Sequence, residues 1–248
     1  MRSLTADPFR TGTAGWSIPT PVAADFPGDG THLERYARRF NAVEINSSFY
    51  RPHRRATYER WAATVPEDFR FSVKLPRTLT HDHRLKNGDD LIERFAGEVA
   101  GLGAKFGVLL VQLPPSLPFS EEAADFLRRL RSRFEAATVL EPRHKSWFTP
   151  TVEDSLADAG IARAAADPGR FEGGGEPGGS RATAYFRLHG SPRIYYSRYD
   201  ADALESWRGK ARQAAQDGAQ SWVIFDNTAE GAAIENAAEF SRASASRG

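Results

Sequence analysis

The sequence contains no cysteine in 248 residues, and this absence excludes several kinds of chemistry. A chain without thiols forms no disulfide bond, no thiolate metal centre and no iron–sulfur cluster, and it has no cysteine nucleophile. The first ten residues also lack the apolar segment of a secretory signal. Both features are typical of cytoplasmic proteins, so we expect a cytoplasmic protein without a cleaved leader.

Long hydrophobic runs and an excess of charge are also missing. No apolar run approaches the roughly 20 residues that a membrane-spanning helix needs, which predicts no membrane association. The formal net charge is +1, with 33 basic and 32 acidic residues, and only five of the basic residues are lysines. This balance does not support nucleic acid as a partner, which would need a local basic patch. The oligomeric state stays open.

The apolar content is sufficient for one large domain. Apolar residues make up 40% of the chain and charged residues 26%, a composition typical of soluble globular proteins. Most sandwiches and bundles are shorter than 248 residues, whereas α/β barrels reach about 250. We therefore interpret residues 1–248 as a single domain, with residues 1–10 and 241–248 peripheral.

Eight segments of strand length, rich in β-branched and aromatic residues, alternate with helical segments. Strand–helix alternation predicts parallel pairing with right-handed crossovers. Eight such units favour a closed (β/α)8 barrel of the TIM type, with room for irregularity, because closure leaves no edge strand. The predicted strands are Thr11–Gly15, Ala42–Ile45, Arg70–Leu75, Phe106–Leu113, Ala137–Glu141, Ile161–Ala165, Thr183–His189 and Ser221–Asp226.

Capping residues and glycines mark where these elements begin and stop. Thr31, Thr57, Ser120, Thr151 and Asp200 are of the types that begin helices. The segment 171–180 contains five glycines, which lose much backbone entropy on folding and bring no side chain to bury. It predicts a flexible loop before the seventh strand and not a domain boundary.

Polar residues recur on one face of six predicted strands, close to the carboxyl end of each. Side chains alternate between the two faces of a strand, so residues two apart share a face. Since buried charge is costly unless paired, these groups predict a polar mouth at the carboxyl ends, where barrel enzymes carry their active sites. The same residues would also fit a closed salt-bridge network that only fills the barrel. They are Glu44, Asn46, Ser72, Lys74, Gln112, Glu141, Arg143, Arg187, His189 and Asp226.

Motifs spread along nearly the whole chain resemble the family called domain of unknown function 72. The resemblance implies a TIM-barrel fold and no established reaction. Pro142, Ala232 and the glycine-rich insertion depart from the family pattern. The matching motifs are Gly12–Trp16, Glu44–Tyr50, Phe69–Lys74 with Pro76 and Thr80–His81, Leu85–Lys86, Gln112–Pro115, Glu141–His144 with Ser146–Phe148, Arg187–Gly190, and Phe225–Thr228 leading to Asn236–Ala237.

Our main hypothesis is an enzyme, such as a phosphoesterase-like hydrolase, that acts on a small phosphate- or carboxylate-bearing substrate by general acid–base chemistry at the mouth. Arginine forks suit such anions, and carboxylates and imidazoles can move protons. Glu44 or Glu141 would be the base, and His144 or His189 the proton donor. The candidate substrate-binding residues are Trp16, Asn46, Ser48, Tyr50, Lys74, Gln112, Arg143, Trp147, Arg187, Asp226 and Asn227.

Three alternatives remain open at this point. A divalent metal ion is a possible cofactor, since Glu44, Glu141, His144, His189 and Asp226 are suitable ligand types without a diagnostic spacing. The two glutamates also fit a glycoside or nucleoside hydrolase, although neighbouring cations would keep both ionised. The third alternative is a non-catalytic barrel that binds a small ligand or single-stranded nucleic acid on its aromatic residues.

Overall fold

The computed structural model describes residues 8–245, with side chains described through Arg242. The outer parts of the two segments expected to be peripheral, residues 1–7 and 246–248, lie outside the described residues. Regular structure extends into the inner parts of both. The first strand begins at the buried Phe9, and the last helix continues to Ala245.

The described residues form ten strands and seven helices. The strands are β1 (Phe9–Thr13), β2 (Ala42–Ile45), β3 (Arg70–Lys74), β4 (Phe106–Gln112), β5 (Ala137–Glu141), β6 (Ile161–Arg163), β7 (Ala165–Asp167), β8 (Gly178–Gly179), β9 (Thr183–Leu188) and β10 (Gln220–Phe225). The helices are α1 (His32–Ala37), α2 (Arg55–Thr64), α3 (Asp89–Val99), α4 (Glu121–Ser132), α5 (Pro150–Asp158), α6 (Ala201–Gln216) and α7 (Ala232–Ala245).

The strands belong to two sheets, so the predicted closed barrel is wrong. One sheet has the order β1-β10-β9-β7 and is wholly parallel. The other has the order β2-β3-β4-β5-β6-β8, in which only β8 is antiparallel. The hydrogen-bonded ladder is interrupted between β1 and β2 and again between β6 and β9, and different local features account for the two interruptions.

Side chains replace the strand ladder between β1 and β2. The backbone N–H of Thr13 donates to the hydroxyl of Tyr36 (2.8 Å), which itself donates to the carbonyl of Ala42 (3.1 Å). The N–H of Thr11 donates to the side-chain amide oxygen of Asn41 (2.8 Å). Backbone groups that would pair β1 with β2 are therefore satisfied without a ladder. Among the described residues, a single bridge between Ala14 and Glu44 joins the two strands.

A short strand closes the sheet at β6. Gly178 and Gly179 of β8 pair antiparallel with Arg163 and Ala162, which covers the edge of β6 that a closed barrel would present to β9. After Ala164 the chain changes sheets, and β7 pairs with β9 instead. The glycine-rich segment expected to be a flexible loop therefore contains a paired strand.

The individual strand predictions are accurate although the closure is not. Each of the eight predicted segments overlaps an observed strand, and Ala42–Ile45 and Ala137–Glu141 match residue for residue. Thr31, Ser120 and Asp200 cap α1, α4 and α6 as expected, each accepting a hydrogen bond from a backbone N–H three residues on. The predicted starts at Thr57 and Thr151 fall one or two residues inside α2 and α5.

Two apolar clusters hold the fold together. The larger lies between the strands and the helices and includes Phe71, Phe126 and Phe240. The smaller joins inward-facing residues of both sheets, including Val108, Leu110 and Trp222. No helix within the described residues is long and apolar enough to cross a membrane.

Candidate functional site

The inward-facing residues change from apolar to polar or charged along the strands. Leu110 is followed by Gln112 on β4, Val139 by Glu141 on β5, and Ile224 by Asp226 just after β10. Parallel strands bring their carboxyl ends together, so the charged residues lie above the smaller apolar cluster. This is the alternation that the sequence predicts.

Arg187 is the centre of the site. Its side chain is completely buried and forms ion pairs with three carboxylates: Glu44 (Nη2 to Oε1, 2.8 Å), Glu141 (Nη1 to Oε2, 3.0 Å) and Asp226 (Nη2 to Oδ2, 3.0 Å). Burial lowers the pKa of Arg187, but the three carboxylates outweigh it and raise the pKa well above its ordinary value. All three guanidinium nitrogens are engaged, which suits Arg187 to hold the carboxylates in place.

Glu44 is enclosed by hydrogen-bond donors. Besides the pair with Arg187, its Oε2 accepts a hydrogen bond from the hydroxyl of Tyr185 (3.0 Å), which lies 2.9 Å from the hydroxyl of Ser72. Burial, followed by the charge of Glu44, raises the pKa of Tyr185 well above its ordinary value, so the phenol stays protonated. Glu44 is fully buried, and its environment is that of a positioning group.

Glu141 is hydrogen-bonded to four side chains, those of Gln112, Arg143, Arg187 and His189. Gln112 donates to both of its oxygens (3.1 and 3.2 Å), and Arg143 donates to Oε1 through Nε and Nη2 (3.1 and 3.0 Å). Burial opposes ionisation of Glu141, but Arg187, Arg143 and His189 outweigh it and hold its pKa well below the ordinary value. A carboxylate with so low a pKa is a weak base at neutral pH.

His189 lies between two carboxylates. Its Nδ1 is 3.0 Å from Asp226 Oδ2, and its Nε2 is 3.3 Å from Glu141 Oε1. Ionised carboxylates only accept hydrogen bonds, so both ring nitrogens must carry hydrogen, which a neutral imidazole does not provide. Burial lowers the pKa of His189, but Glu141 and Asp226 outweigh it and raise the pKa above 6.5. The side chain is thus held as an imidazolium.

Lys74 is buried with few polar partners. Its Nζ donates one hydrogen bond, to Asn46 Oδ1 (3.1 Å), and lies 4.2 Å from the ring centroid of Phe49. The residue is 4% exposed, and the described residues place no carboxylate oxygen within ion-pair distance. Burial and the nearby Arg187 lower the pKa of Lys74 to about 8 against the opposing effect of the carboxylates.

His81 lies next to this cationic side of the site. Its ring packs edge-on against Phe49 (centroids 5.0 Å apart), and its Nδ1 lies 2.8 Å from the hydroxyl of Thr80. Burial lowers the pKa of His81, and the charges of Arg77, Lys74 and Arg143 lower it further. Positive groups from two segments, Lys74 with Arg77 and Arg143, therefore lie near His81, whose lowered pKa favours the neutral imidazole.

A cleft opens beside this network. It is narrow, with a cavity volume of about 20 Å³, and its lining includes Glu141, Arg143 and His189. Phe148, Gly174 and Tyr195 also line it. A cavity of this volume holds about one water molecule, so a ligand would place one small polar group inside and extend outward.

Several residues predicted to bind substrate have contacts with the surrounding scaffold. Trp147 is fully buried and donates to the carbonyl of Leu117 (3.0 Å), and Asn227 donates to the carbonyl of Ser197 and to Asn236 (both 2.9 Å). The hydroxyl of Ser48 contacts the backbone carbonyls of Ile45 and Lys74 (2.8 and 2.6 Å).

The remaining predicted site residues lie at the periphery of the network. His144 uses Nδ1 to accept from the N–H of Ser146 (3.2 Å), as the cap of a short 3₁₀ turn. Trp16 packs edge-on against Trp61 (5.0 Å), and Tyr50 is 69% exposed. Their roles in binding stay predictions.

The sequence analysis did not single out Tyr185, His81 or Tyr195 as site residues. Tyr185 shares the inward face with Arg187 and His189, so the same alternation could have identified it. His81 lies in a π-helical turn after β3, and Tyr195 lies in a loop where its hydroxyl accepts from Arg143 Nη2 (3.4 Å). Strand alternation gives no signal at such positions.

The carboxylates of this site are not arranged as a metal centre. Within the described part of the chain, no three His, Asp or Glu side chains are positioned to bind one metal ion. Arg187 and His189 take up the carboxylate oxygens that would coordinate it. The donor set therefore does not fit a divalent cation.

Comparison with known proteins identifies relatives along the chain. Residues 10–248 match the family described as "Protein of unknown function DUF72". The UPF0759 protein YecE of Escherichia coli is 32% identical over 152 residues, 60% of this chain, and the match spans about half of that relative's length (54%). The UPF0759 protein YunF of Bacillus subtilis is 24% identical over 255 residues, covering 91% of this chain and 90% of the relative.

Solved structures share the fold. A DUF72 family protein from Thermotoga maritima superposes with a TM-score of 0.79 at 23% identity, covering 95% of this chain and 98% of that one. A second, from Enterococcus faecalis, gives a TM-score of 0.78 at 20% identity and covers 94% of each chain. Together with the match over residues 10–248, these findings show that the chain belongs to the DUF72 family.

Proposed function

We propose that this protein is an enzyme that binds a small phosphate- or carboxylate-bearing substrate at the carboxyl ends of its strands and acts on it by acid–base chemistry. The observation that carries the proposal is the set of unused hydrogen-bond donors on the cationic side of the site. Nη1 of Arg143 has no hydrogen-bond partner among the described residues, and Lys74 Nζ has one.

The charges around the cleft support an anionic ligand. Three carboxylates, those of Glu44, Glu141 and Asp226, are paired with Arg187. Four cations face these three negative charges, namely Arg187, Arg143, Lys74 and the imidazolium of His189, which leaves an excess of one positive charge. An anion at the cleft would therefore meet fixed positive charge, and the planar fork of Arg143 suits phosphate or carboxylate.

The acid–base pair differs from the pair expected from sequence. Glu141 is too strongly stabilised as an anion to act as a base, and Glu44 is enclosed, so we assign both to positioning. Lys74 and His189 have pKa values displaced toward each other, downward for the amine and upward for the imidazole. We assign proton uptake to Lys74 and proton donation to His189, which lines the cleft.

The arrangement disfavours the two-carboxylate hydrolase. That mechanism needs one carboxyl group protonated beside an ionised one, and Arg187 lies between Glu44 and Glu141 with an ion pair to each. A stacking platform for single-stranded nucleic acid loses support as well. Trp147 is buried in the core, and Trp16 packs on Trp61.

The binding step can be tested with pairs of compounds that differ only in charge. Thermal unfolding is measured with glycerol 3-phosphate against glycerol, and with inorganic phosphate alone. We expect the anions to raise the unfolding midpoint of the wild type and not that of Arg143→Met. Arg133→Met is the matched control, because Arg133 is exposed and paired with Glu93 far from the cleft, and it should keep the response. Equal stabilisation by glycerol, or a normal response of Arg143→Met, would contradict the proposal.

The catalytic step is tested on the anions that stabilise the protein. Product formation is followed by NMR for the wild type and for His189→Gln, which keeps a polar side chain but cannot donate the same proton. A positioned acid is worth about 100-fold or more, so turnover should fall by at least that factor while the response to phosphate is retained. Unchanged turnover would show that His189 is not the acid.

A further inference from the structure

Lys74 differs from every other lysine of the chain. All five lysines are within the described residues, and Lys74 alone is buried. Lys86 and Lys210 form surface ion pairs with Glu122 and Glu176, and Lys145 is exposed. Lys105 is half-buried and donates to the carbonyls of Ala62 and Val65. Lys74 has neither a carboxylate partner nor a shell of carbonyl groups.

The groups around Lys74 leave its amine incompletely satisfied. Asn46 takes one of the three ammonium hydrogens, and the face of Phe49 is the other close contact. Arg187 repels the ammonium, and the nearby Glu44, Glu141 and Asp226 are already paired with Arg187. Such surroundings raise the neutral fraction of the amine above that of an exposed lysine.

Neutral amine is the reactive form of lysine. At the ordinary lysine pKa of about 10.4, fewer than about one molecule in a thousand is neutral at pH 7. The pKa of about 8 at Lys74 gives about one in ten. Desolvation combined with a neighbouring cation is a recognised way to activate a lysine toward carbonyl compounds.

We propose that Lys74 is a nucleophile that forms an imine with an aldehyde or ketone bearing a phosphate or carboxylate group. This proposal rests on the proposed function, because Arg143 would hold the anionic group of the same substrate whose carbonyl group reaches Nζ of Lys74. The supporting geometry is the isolated Nζ, buried beside Arg187 and Phe49 at the carboxyl end of β3.

The step balances as an ordinary condensation. The lone pair of Nζ forms a bond to the carbonyl carbon, and the electrons of the C=O π bond move to oxygen, which takes up a proton. The nitrogen of this carbinolamine loses one proton, and the hydroxyl takes up another and leaves as water while the C=N bond forms. Amine, carbonyl compound and one proton thus give a protonated imine and one water, without an oxidant or reductant.

The test is reductive trapping on the intact protein at pH 7. Wild-type protein is incubated with glyoxylate, the smallest aldehyde with a carboxylate, in the presence of cyanoborohydride, and the modified lysine is located by peptide mass spectrometry. We expect a single adduct on Lys74, formed at least about tenfold faster than on any other lysine and slowed by inorganic phosphate. Acetaldehyde, the neutral probe, should label Lys74 more slowly.

Two variants and an unfolded sample complete the design. Lys74→Arg retains the positive charge and should lose the adduct, whereas Lys145→Arg removes an exposed lysine and should label like the wild type. Protein unfolded in urea should label all lysines alike, which shows that the selectivity belongs to the fold. Because wild-type mapping alone locates the adduct, the test holds even if Lys74→Arg fails to fold.

The outcomes separate this proposal from the proposed function. Labelling spread evenly over the lysines and the amino terminus, or absent from Lys74, overturns the imine. If phosphate still stabilises the wild type and not Arg143→Met in that case, the anion site stands and only the nucleophile is wrong. If the response to phosphate is also missing, both proposals fail.

Discussion

Arg187 donates two parallel hydrogen bonds to Glu44, from Nη2 to Oε1 at 2.8 Å and from Nε to Oε2 at 3.0 Å. This pair joins β9 of one sheet to β2 of the other across the interior of the fold. The third nitrogen, Nη1, reaches Glu141 on β5 (3.0 Å). One side chain thus fixes the relative positions of carboxylates from separate strands.

Loss of Arg187 should destabilise the protein strongly. Arg187→Met leaves the fully buried Glu44 without its ion-pair partner, a change that typically costs about 3–5 kcal/mol of the free energy of unfolding. Urea unfolding measures this loss. Arg133→Met removes an exposed arginine and should leave the unfolding midpoint unchanged. An Arg187→Met protein as stable as the wild type would show that the carboxylates rearrange or become protonated.

The contribution of His189 to stability should depend on pH in a definite direction. The folded-state pKa of His189 is raised above 6.5, so its stabilising effect is fully present below about pH 6.5 and is lost as the pH rises through the folded-state pKa. The free energy of unfolding of the wild type relative to His189→Gln should therefore fall from pH 6 to pH 9. A difference that stays constant or grows over this range would contradict the imidazolium.

Acid should also destabilise the folded protein, because it protonates the carboxylates of the same network. The pKa values of Glu141 and Asp226 are lowered in the folded protein, so their stabilising effect is present above their unfolded-state pKa and is lost as the pH falls through the folded-state pKa. We expect the free energy of unfolding to drop steadily below about pH 4. Glu141→Gln should show a shallower drop than the wild type, and an equal slope would mean that Glu141 ionises as it does in the unfolded chain.

Arg163 should hold the glycine-rich segment in place. Its Nη1 donates to the carbonyls of Gly173 and Glu176 (3.1 and 3.2 Å). Hydrogen bonds to charged groups are worth about 1.5–3 kcal/mol, so Arg163→Met should speed amide hydrogen exchange in residues 171–179 by about tenfold or more. Arg170→Met is the control, because Arg170 is exposed within the same region. Unchanged exchange in Arg163→Met would show that β8 pairing alone orders the segment.

Lys74 should titrate near pH 8, which ¹⁵N NMR of the lysine side chains can measure directly. The Lys74→Arg variant assigns the signal, because only that resonance should disappear. Arg187→Lys keeps a cation in the interior but is expected to alter the signal's titration midpoint, since Arg187 is among the causes of the low pKa. A midpoint near the ordinary lysine value of about 10.4 would remove the basis for a reactive amine.

Alternation along the strands indicated which side chains of a strand face the interior. Glu141 and Arg187 are distant in sequence, yet their inward-facing positions follow from apolar and polar residues two apart on their strands. The interruption between β1 and β2 was not predictable in this way. It arises because the hydroxyl of Tyr36 on α1 and the side-chain amide of Asn41 accept backbone hydrogen bonds of β1. Strand patterns carry no information about such side chains.

Loop residues were the least predictable part of the site. Trp147 and Asn227 follow strands just as ligand-binding residues do, but they serve the packing of neighbouring loops. His81 lies outside every strand and was therefore not identified. Whether a polar residue after a strand faces the cleft or the scaffold depends on the path of the loop, which single-sequence patterns do not determine.

The most direct test of the anion site is a crystal structure of the wild-type protein grown with inorganic phosphate. We expect a phosphate with oxygen atoms within hydrogen-bond distance of Arg143 Nη1 and Lys74 Nζ, beside an otherwise unchanged Arg187 network. Phosphate found only on exposed arginines, with the space between Arg143 and Lys74 filled by protein atoms or water, would contradict the central claim.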